Sequence, residues 1–366
     1  MKNLNWVVPM GQCFNLSDEF FIIEPIDLQK IVAIGPVINR FMFAMQSIVH
    51  TVVDPELRLG KYLRLVRDIL LVELSAEHKK LAGIHPQRNS LLTRIDFMID
   101  EAGELKIAEI DPMNKHGIGF ALLCRNESGQ GERQKILSLF SELLDGYEDL
   151  SILISRKDEF FQKEQQYFAR KLSECTGKSV RIIREEDESE IIKKVENLTS
   201  CFLDCPALRN VDLNLKLLGV FQSTPKRFLV PPKHWMANKA LMAFIYEPVL
   251  LEILRVFLSA EDIGTLQRLV PPTYMRNPNS EGFVVKKVLS SGAKGVFFGG
   301  NAPDKDVIYQ KYVPQRKFLL DTKEQHIRLA AHFVATKLGE LTVTSSIKVP
   351  VHGNSESVNY HVVLKS

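Results

Sequence analysis

Between residues 91 and 111 the chain alternates apolar and polar side chains, LLTRIDFMID and then ELKIAEID around EAGE, and this period of two specifies a β-hairpin. Folding the segment about Ala102–Gly103 sets Asp96 opposite Glu109 and Arg94 opposite Asp111. All four then emerge on one face, with Ile95, Phe97, Ala108 and Ile110 on the other. Like charges facing each other destabilise a sheet, so the two carboxylates call for a shared proton or a bound cation. Three carboxylates with no Cys or His beside them form a hard, all-oxygen donor set, suited to Mg²⁺ holding a phosphate chain. The same charges also suit an ordinary hairpin whose polar face meets water, with Arg94 and Asp111 as a surface pair.

The length, 366 residues, exceeds what one hydrophobic core serves and implies two or three lobes. Lys and Arg number 47 against 44 Asp and Glu, a net +3, which argues against a wholly basic surface for nucleic acid. With 45% hydrophobic residues and 21 Phe, the chain can bury enough area to offset its entropy, which excludes disorder. The N-terminal MKNLNWVVPMGQCFNLSDEF breaks the apolar run of a signal peptide, and no window approaches eighteen uncharged apolar residues. No membrane span is therefore expected. Five scattered cysteines suit reduced thiols in a cytoplasm, and Cys201 and Cys205 lack a second pair at zinc spacing, so they read as buried thiols.

Three units follow along the chain. Residues 1–149 read as a helical region carrying the hairpin, with a helix over 27–48 interrupted at Gly35–Pro36. Residues 150–235 contain SILIS, an amphipathic helix stopped at Gly177, and SVRIIRE, which together make a βαβ unit with a parallel sheet. The run REEDESEIIKKVE there is a solvated loop and helix face. Residues 236–366 open with a helix begun by Asn238 and disturbed by Pro248, and end in a strand-rich tail. The fold class is α/β (α+β).

In the third unit Lys286 closes the apolar strand Phe283-Val284-Val285, and Ser290-Ser291-Gly292-Ala293-Lys294-Gly295 follows. Small residues let backbone N–H groups approach phosphate oxygens, and a lysine supplies a point charge. The spacing is neither a Walker loop nor GxGxxG, and a hairpin tip needing positive φ accounts for the glycines equally well.

Taken in order, these pieces resemble the circularly permuted ATP-grasp ligases, notably the synthetase domain of glutathionylspermidine synthase and related carboxylate–amine ligases. Arg94-x-Asp96 followed by Glu109-x-Asp111 looks like that family's arginine, aspartate, glutamate and asparagine set. Asn238-Lys239-Ala240 resembles its asparagine-lysine-alanine motif, LVPPTYM the proline-containing segment after it, and Phe283–Lys286 its second lysine strand. Ile308-Tyr309-Gln310-Lys311-Tyr312-Val313 looks like the hinge beside adenine. The carboxylates precede the lysines, the reverse of the usual order, and the middle βαβ unit takes the pre-ATP-grasp place. Asp111 stands where asparagine is usual, Lys287 replaces a proline, and Lys311 sits where an acidic residue often follows the glutamine. The amidase half of the bifunctional relatives has no counterpart.

The resemblance implies ATP and Mg²⁺ as cofactors, with Asp96, Glu109 and Asp111 on the metal. Lys239 and Lys286 would hold phosphates, Gln310 and the backbone at Lys311, Tyr312 and Val313 would line the adenine slot, and Arg94 would stabilise an acyl-phosphate and the tetrahedral intermediate. Ser291, Gly292 and Gly295 would cradle phosphate, Lys294 would act as a lid contact to the γ-phosphate, and Arg328 is a further phosphate candidate. Lys287 reads as a solvated neighbour. His116 and Asn114 beyond the hairpin border the acceptor pocket or form a turn with a satisfied histidine, and His234 and Trp235 read as interlobe packing. The implied activity joins a small carboxylate to an amine, with amino acid, peptide, polyamine and carrier-bound acceptors all open. A catalytically idle nucleotide-binding scaffold and a small-molecule kinase on the same fold are the alternatives.

Overall fold

The protein is described here from a computed structural model, covering residues 2–3, 15–54, 56–85, 87–113, 116–127, 135–278, 281–290, 295–298, 305–351 and 357–365. Its largest sheet draws strands from both ends of the chain. Across it run Lys2–Asn3, Asn15–Ile23, Val358–Leu364, Lys337–Ser346, Lys323–Val334, Leu92–Ile99 and Leu105–Asp111, with Phe318–Leu320 paired beside Lys323–Val334. Neighbours are antiparallel except Val358–Leu364 and Asn15–Ile23, which are parallel. The strand-rich tail, which the sequence groups with the third unit, thus pairs directly with the acidic hairpin.

Alternation gives this sheet two unlike faces. Ile95, Phe97, Ile327, Leu329, Phe333, Val343 and Tyr360 are buried in the main core with the helix Pro25–Val53. The opposite face carries Asp96, Arg328, His332, Glu340, Thr344 and Asn359, a row of polar groups crossing four strands.

The helix Pro25–Val53 runs unbroken through Gly35–Pro36, where the sequence suggests an interruption. Pro36 denies a hydrogen bond to the Val32 carbonyl, but Val32 lies on an exposed turn, where water can replace it. Gly35 has another purpose: a Cβ there would stand 2.5 Å from the Thr336 carbonyl oxygen and 2.7 Å from the Phe333 ring. The glycine lets helix and sheet touch. By length and composition this helix could cross a membrane, contrary to the expectation of no such window, and 61% of its most apolar stretch is buried inside the molecule.

The βαβ reading of the middle region holds. Asp149–Ile154 is the central strand of a three-stranded parallel sheet between Ser179–Arg184 and Ser200–Phe202. The helix Gln162–Thr176 ends on Gly177, at φ +68°. A third, antiparallel sheet has the order Val296–Phe298, Phe283–Lys287, Val307–Lys311, Thr273–Tyr274. Before it, Asn238 caps a 3₁₀ turn over Lys239–Ile245, and a separate helix spans Pro248–Leu254. Pro248 opens that helix instead of disturbing one, because its missing N–H is unneeded in a first turn.

Candidate functional site

The hairpin pairs as its charges suggest: Arg94 faces Asp111 and Asp96 faces Glu109. Beyond them the register slips by one at a β-bulge, so that Phe97 faces Ile107 and Asp100 faces Glu104 across the turn. Ala108 is the extra residue. The bulge settles a conflict written in the strand, where Leu105 and Ile107 sit on one parity and Ile110 on the other. With Ala108 inserted, Leu105 and Ile107 enter the core while Glu109 and Asp111 still face the site.

Arg94 lies against Asp96, with Nε donating to Oδ1 at 2.7 Å and Nη2 to Oδ2 at 3.3 Å, and its Nη2 is 3.6 Å from Asp111 Oδ2. Arg328, from the neighbouring strand, places Nη1 3.5 Å from Asp96 Oδ2. Burial alone would lower the Arg94 pKa, but Asp96, Asp111 and Glu109 outweigh it and hold the guanidinium well above its usual value. Burial likewise works against an ionised Asp96, and Arg94 and Arg328 overcome it, so the carboxyl stays below the ordinary range. Beside them His332, opposite Arg94 across the strands, is pushed down to about 3 by burial and by Arg94 and Arg328, which keeps it neutral.

The lysines approach from the antiparallel sheet and the turn next to it. Asn238 Oδ1 accepts from the Ala240 amide at 2.8 Å and its Nδ2 donates to the Ile69 carbonyl, which anchors the turn. Lys239, 7% exposed, is left to reach Glu109 Oε1 at 3.0 Å and the Ser290 carbonyl at 2.5 Å. Lys286 Nζ donates to the Ala108 carbonyl at 3.0 Å and to Gln310 Oε1 at 2.6 Å. Burial, with Lys239 adding to it, lowers Lys286 to about 8, against the opposing pull of Glu109. Buried Gln310 also donates to Thr273 Oγ1 at 3.2 Å, so it orients the lysine. At the hinge, the Lys311 and Tyr312 amides donate to the carbonyls of Pro272 and Gly282.

Thus Arg94, Asp96, Glu109, Asp111, Arg328, Lys239, Lys286 and Gln310 come together where two sheets meet. Ser291, Gly292 and Lys294 lie outside the described residues, as does Asn114. Gly295 closes the hairpin after Lys286: its carbonyl accepts from the Lys287 amide at 2.8 Å, and a Cβ there would meet Ser290 Oγ. Lys287 is exposed, as alternation requires. Trp235 is fully buried in the main core, and His234 packs on His78 with ring centroids 3.9 Å apart.

Metal capacity is uneven across the three carboxylates. Among the described residues, no group of three or more His, Cys, Asp or Glu side chains is gathered as a metal cage. Glu109 and Asp111 keep side chains 32% and 28% exposed, open to a cation and a phosphate chain. Asp96 is 4% exposed, with both oxygens committed to guanidinium groups.

His116 is a satisfied histidine. It stacks on Phe161 at 3.8 Å, with Nε2 3.3 Å from Asp158 and Nδ1 3.2 Å from Gln165 Nε2. Next to it, buried Glu164 accepts the amides of Gly117 at 2.6 Å and Phe120 at 3.2 Å, tying the middle unit to the helix Ile118–Glu127. Burial raises this carboxyl to about 7, despite those amides. Glu164, His332, Thr344 and Asn359 are site residues the sequence reading missed. For the last three a signal existed, since Thr342 and Thr344, and Asn359 and His361, stand two apart and Arg328 and His332 four apart, each pair on one face of its strand.

No family profile and no curated protein matches the chain. Among solved structures, a glutathione synthetase-like effector from Globodera pallida, in its apo form, aligns with a TM-score of 0.54 at 12% identity. That alignment covers 96% of this chain and 90% of the effector. A provisionally named γ-glutamylcysteine synthetase from Methylobacillus flagellatus aligns with a TM-score of 0.32 at 10% identity, over 80% and 84% of the two chains, an overlap too slight to argue from. The mixed α/β fold, taken nearly whole, is one this chain shares with the glutathione synthetase-like effector.

Proposed function

We propose that the chain is an ATP-dependent carboxylate–amine ligase on a circularly permuted ATP-grasp fold. One observation carries the reading: Lys239 and Lys286, from one side of a sheet–sheet junction, meet Glu109 and the bulged Ala108 of the acidic hairpin on the other. Such opposed basic and acidic walls suit a polyphosphate and its counter-cation. Lys239 and Lys286 hold phosphate oxygens, and the Gln310 segment flanks the base. Glu109 and Asp111 are the residues that would hold Mg²⁺, which supplies neutralisation of phosphate charge.

A substrate carboxylate attacks the γ-phosphorus, the bond to the bridging oxygen of ADP breaks, and an acyl-phosphate forms. An amine nitrogen then attacks the acyl carbon, phosphate leaves, and the surplus proton passes to solvent, giving an amide. Arg94 faces the charge that grows on the acyl oxygen. No protein nucleophile is needed. The test is ADP release from ATP with paired panels of small acids and amines, read together with product mass. An amide mass with stoichiometric ADP supports the ligase, and a phosphorylated acceptor indicates a kinase.

A second reading, nucleotide binding without turnover, is favoured by the way Lys239 pairs with Glu109 and Lys286 with Gln310, which closes the site on itself. Stabilisation by ATP with no ADP formed across the panels would select it.

A further inference from the structure

We infer that Asp96 is the internal counter-ion of a two-arginine oxyanion clamp formed by Arg94 and Arg328, and not a metal ligand. The inference deepens the proposed function at the same site, by assigning the clamp to a carboxylate or to the phosphoryl group transferred to it. Three observations carry it.

Asp96 is turned away from solvent, and its oxygens are already used: Oδ1 accepts from Arg94 Nε at 2.7 Å, and Oδ2 faces Arg94 Nη2 at 3.3 Å and Arg328 Nη1 at 3.5 Å. A cation entering there would have to displace two guanidinium groups and would meet their charge. Glu109, opposite Asp96, instead turns toward Lys239.

Arg328 is braced as a fixed arm. Its Nη2 donates to Thr344 Oγ1 at 3.3 Å, Thr344 donates to Asn359 Oδ1 at 2.8 Å, and Asn359 Nδ2 holds the Asn15 carbonyl at 3.1 Å. The chain of bonds crosses four strands of one sheet. Arg328 Nε, shielded from solvent, has no hydrogen-bond partner among the described residues. A buried guanidinium N–H without an acceptor is costly, and an arriving oxyanion supplies one.

The charges are balanced in the empty site, since Asp111 also lies 3.6 Å from Arg94 and two guanidinium groups then face two carboxylates. Asp96 keeps both arms aligned, and an oxyanion completes the hydrogen bonding of Arg328 Nε, a preorganised arrangement that needs no rearrangement as charge develops.

The test uses thermal unfolding of the full chain, with inorganic phosphate compared against chloride at matched ionic strength, and separately with Mg²⁺. Every form is also read with Lys239→Ala and Lys286→Ala added, which removes phosphate held by those lysines and leaves the gain scored below. None of these readouts requires ATP or turnover, so the clamp can fail while the ligase reading stands, and the reverse. Phosphate is expected to raise the melting temperature of the wild type, and to do so more strongly in Asp96→Asn, where it replaces the missing counter-charge. Both gains disappear when Arg328→Gln is added. Asp96→Asn keeps the wild-type response to Mg²⁺. Acetate in place of phosphate separates a planar carboxylate from a tetrahedral oxyanion as the preferred occupant. Should Asp96→Asn fail to fold, Arg328→Gln alone decides, by abolishing the phosphate gain of the wild type. A phosphate gain that survives Arg328→Gln overturns the clamp, as does the absence of any phosphate gain. A Mg²⁺ stabilisation present in the wild type and lost in Asp96→Asn overturns the exclusion of metal.

Discussion

Lys286 donates to the carbonyl of Ala108, 3.0 Å away, and Ala108 is the residue of the strand Leu105–Asp111 that faces no cross-strand partner. The bulge therefore has two effects. It keeps Glu109 and Asp111 on the polar face while Leu105 and Ile107 fill the core, and it offers a carbonyl to the lysine from the other sheet. Deleting Ala108 leaves Leu105, Ile107 and Ile110 on one face and Glu109 and Asp111 on the other, a regular strand, but removes the carbonyl that Lys286 binds. The expected result is a retained cooperative thermal transition with Mg-ATP affinity lowered, while Ala108→Ser, which keeps the count and the carbonyl, binds and melts near the wild type.

Gly35 marks the closest approach of the long helix to the main sheet. A methyl group there meets the Thr336 carbonyl oxygen at 2.5 Å and the Phe333 ring at 2.7 Å. Gly35→Ala should destabilise by about 1–3 kcal/mol, as overpacking in a filled core does. Urea denaturation measures it through a lower midpoint at unchanged slope.

Gly117 sits at φ +90°, and a Cβ would approach His332 Cε1 to 3.1 Å. Gly117→Ala combines backbone strain of about 1–2 kcal/mol with pressure on the histidine beside Arg94. Both stability and the response to phosphate should fall. Gly146, also at positive φ but with none of the described residues within 4 Å of its missing Cβ, is the control, and Gly146→Ala should lower stability alone.

Lys233 is fully buried, with Nζ donating to Gln46 Oε1 at 2.6 Å and to the carbonyls of His85 and Arg88 at 2.8 and 3.1 Å. Burial, with Arg88 adding to it, lowers its pKa to about 7, against about 10.4 in the unfolded chain. The unfolded state then holds the proton more tightly. The stability tied to this group is complete above about pH 10.4 and is lost as the pH falls toward 7. Lys233→Met should flatten the rise of stability between pH 7 and 9, and lower stability throughout by about 1–3 kcal/mol for each buried acceptor left unpaired. Urea midpoints at the two pH values give the result.

Local features of the site could be read from the chain, and long-range ones could not. Period and a turn with Glu101 facing Glu104 give the pairings of Arg94 with Asp111 and Asp96 with Glu109. The turn instead pairs Asp100 with Glu104, one residue off, and the bulge at Ala108 restores the expected pairs. Even the bulge has a trace, in the parity switch from Ile107 to Ile110. The approach of Arg328 to Asp96 spans 232 positions and depends on which strands become neighbours, which alternation does not encode. Pro36 misleads for a related reason: local propensity argues for a break, and burial of Ile31, Ile34, Ile38, Phe41 and Met45 against the sheet prevails.

The ligase reading requires a nucleotide in the junction between Lys239, Lys286 and the acidic hairpin. Its most direct test is the affinity of the full chain for Mg-ATP by titration calorimetry, compared with Lys239→Ala, Lys286→Ala and Glu109→Gln. The wild type should bind saturably at one site. Each lysine variant should bind at least tenfold more weakly, a loss of about 1.4 kcal/mol. In Glu109→Gln, the advantage of Mg-ATP over metal-free ATP should be lost. Absence of binding by the wild type, or affinity unchanged in both lysine variants, would contradict it.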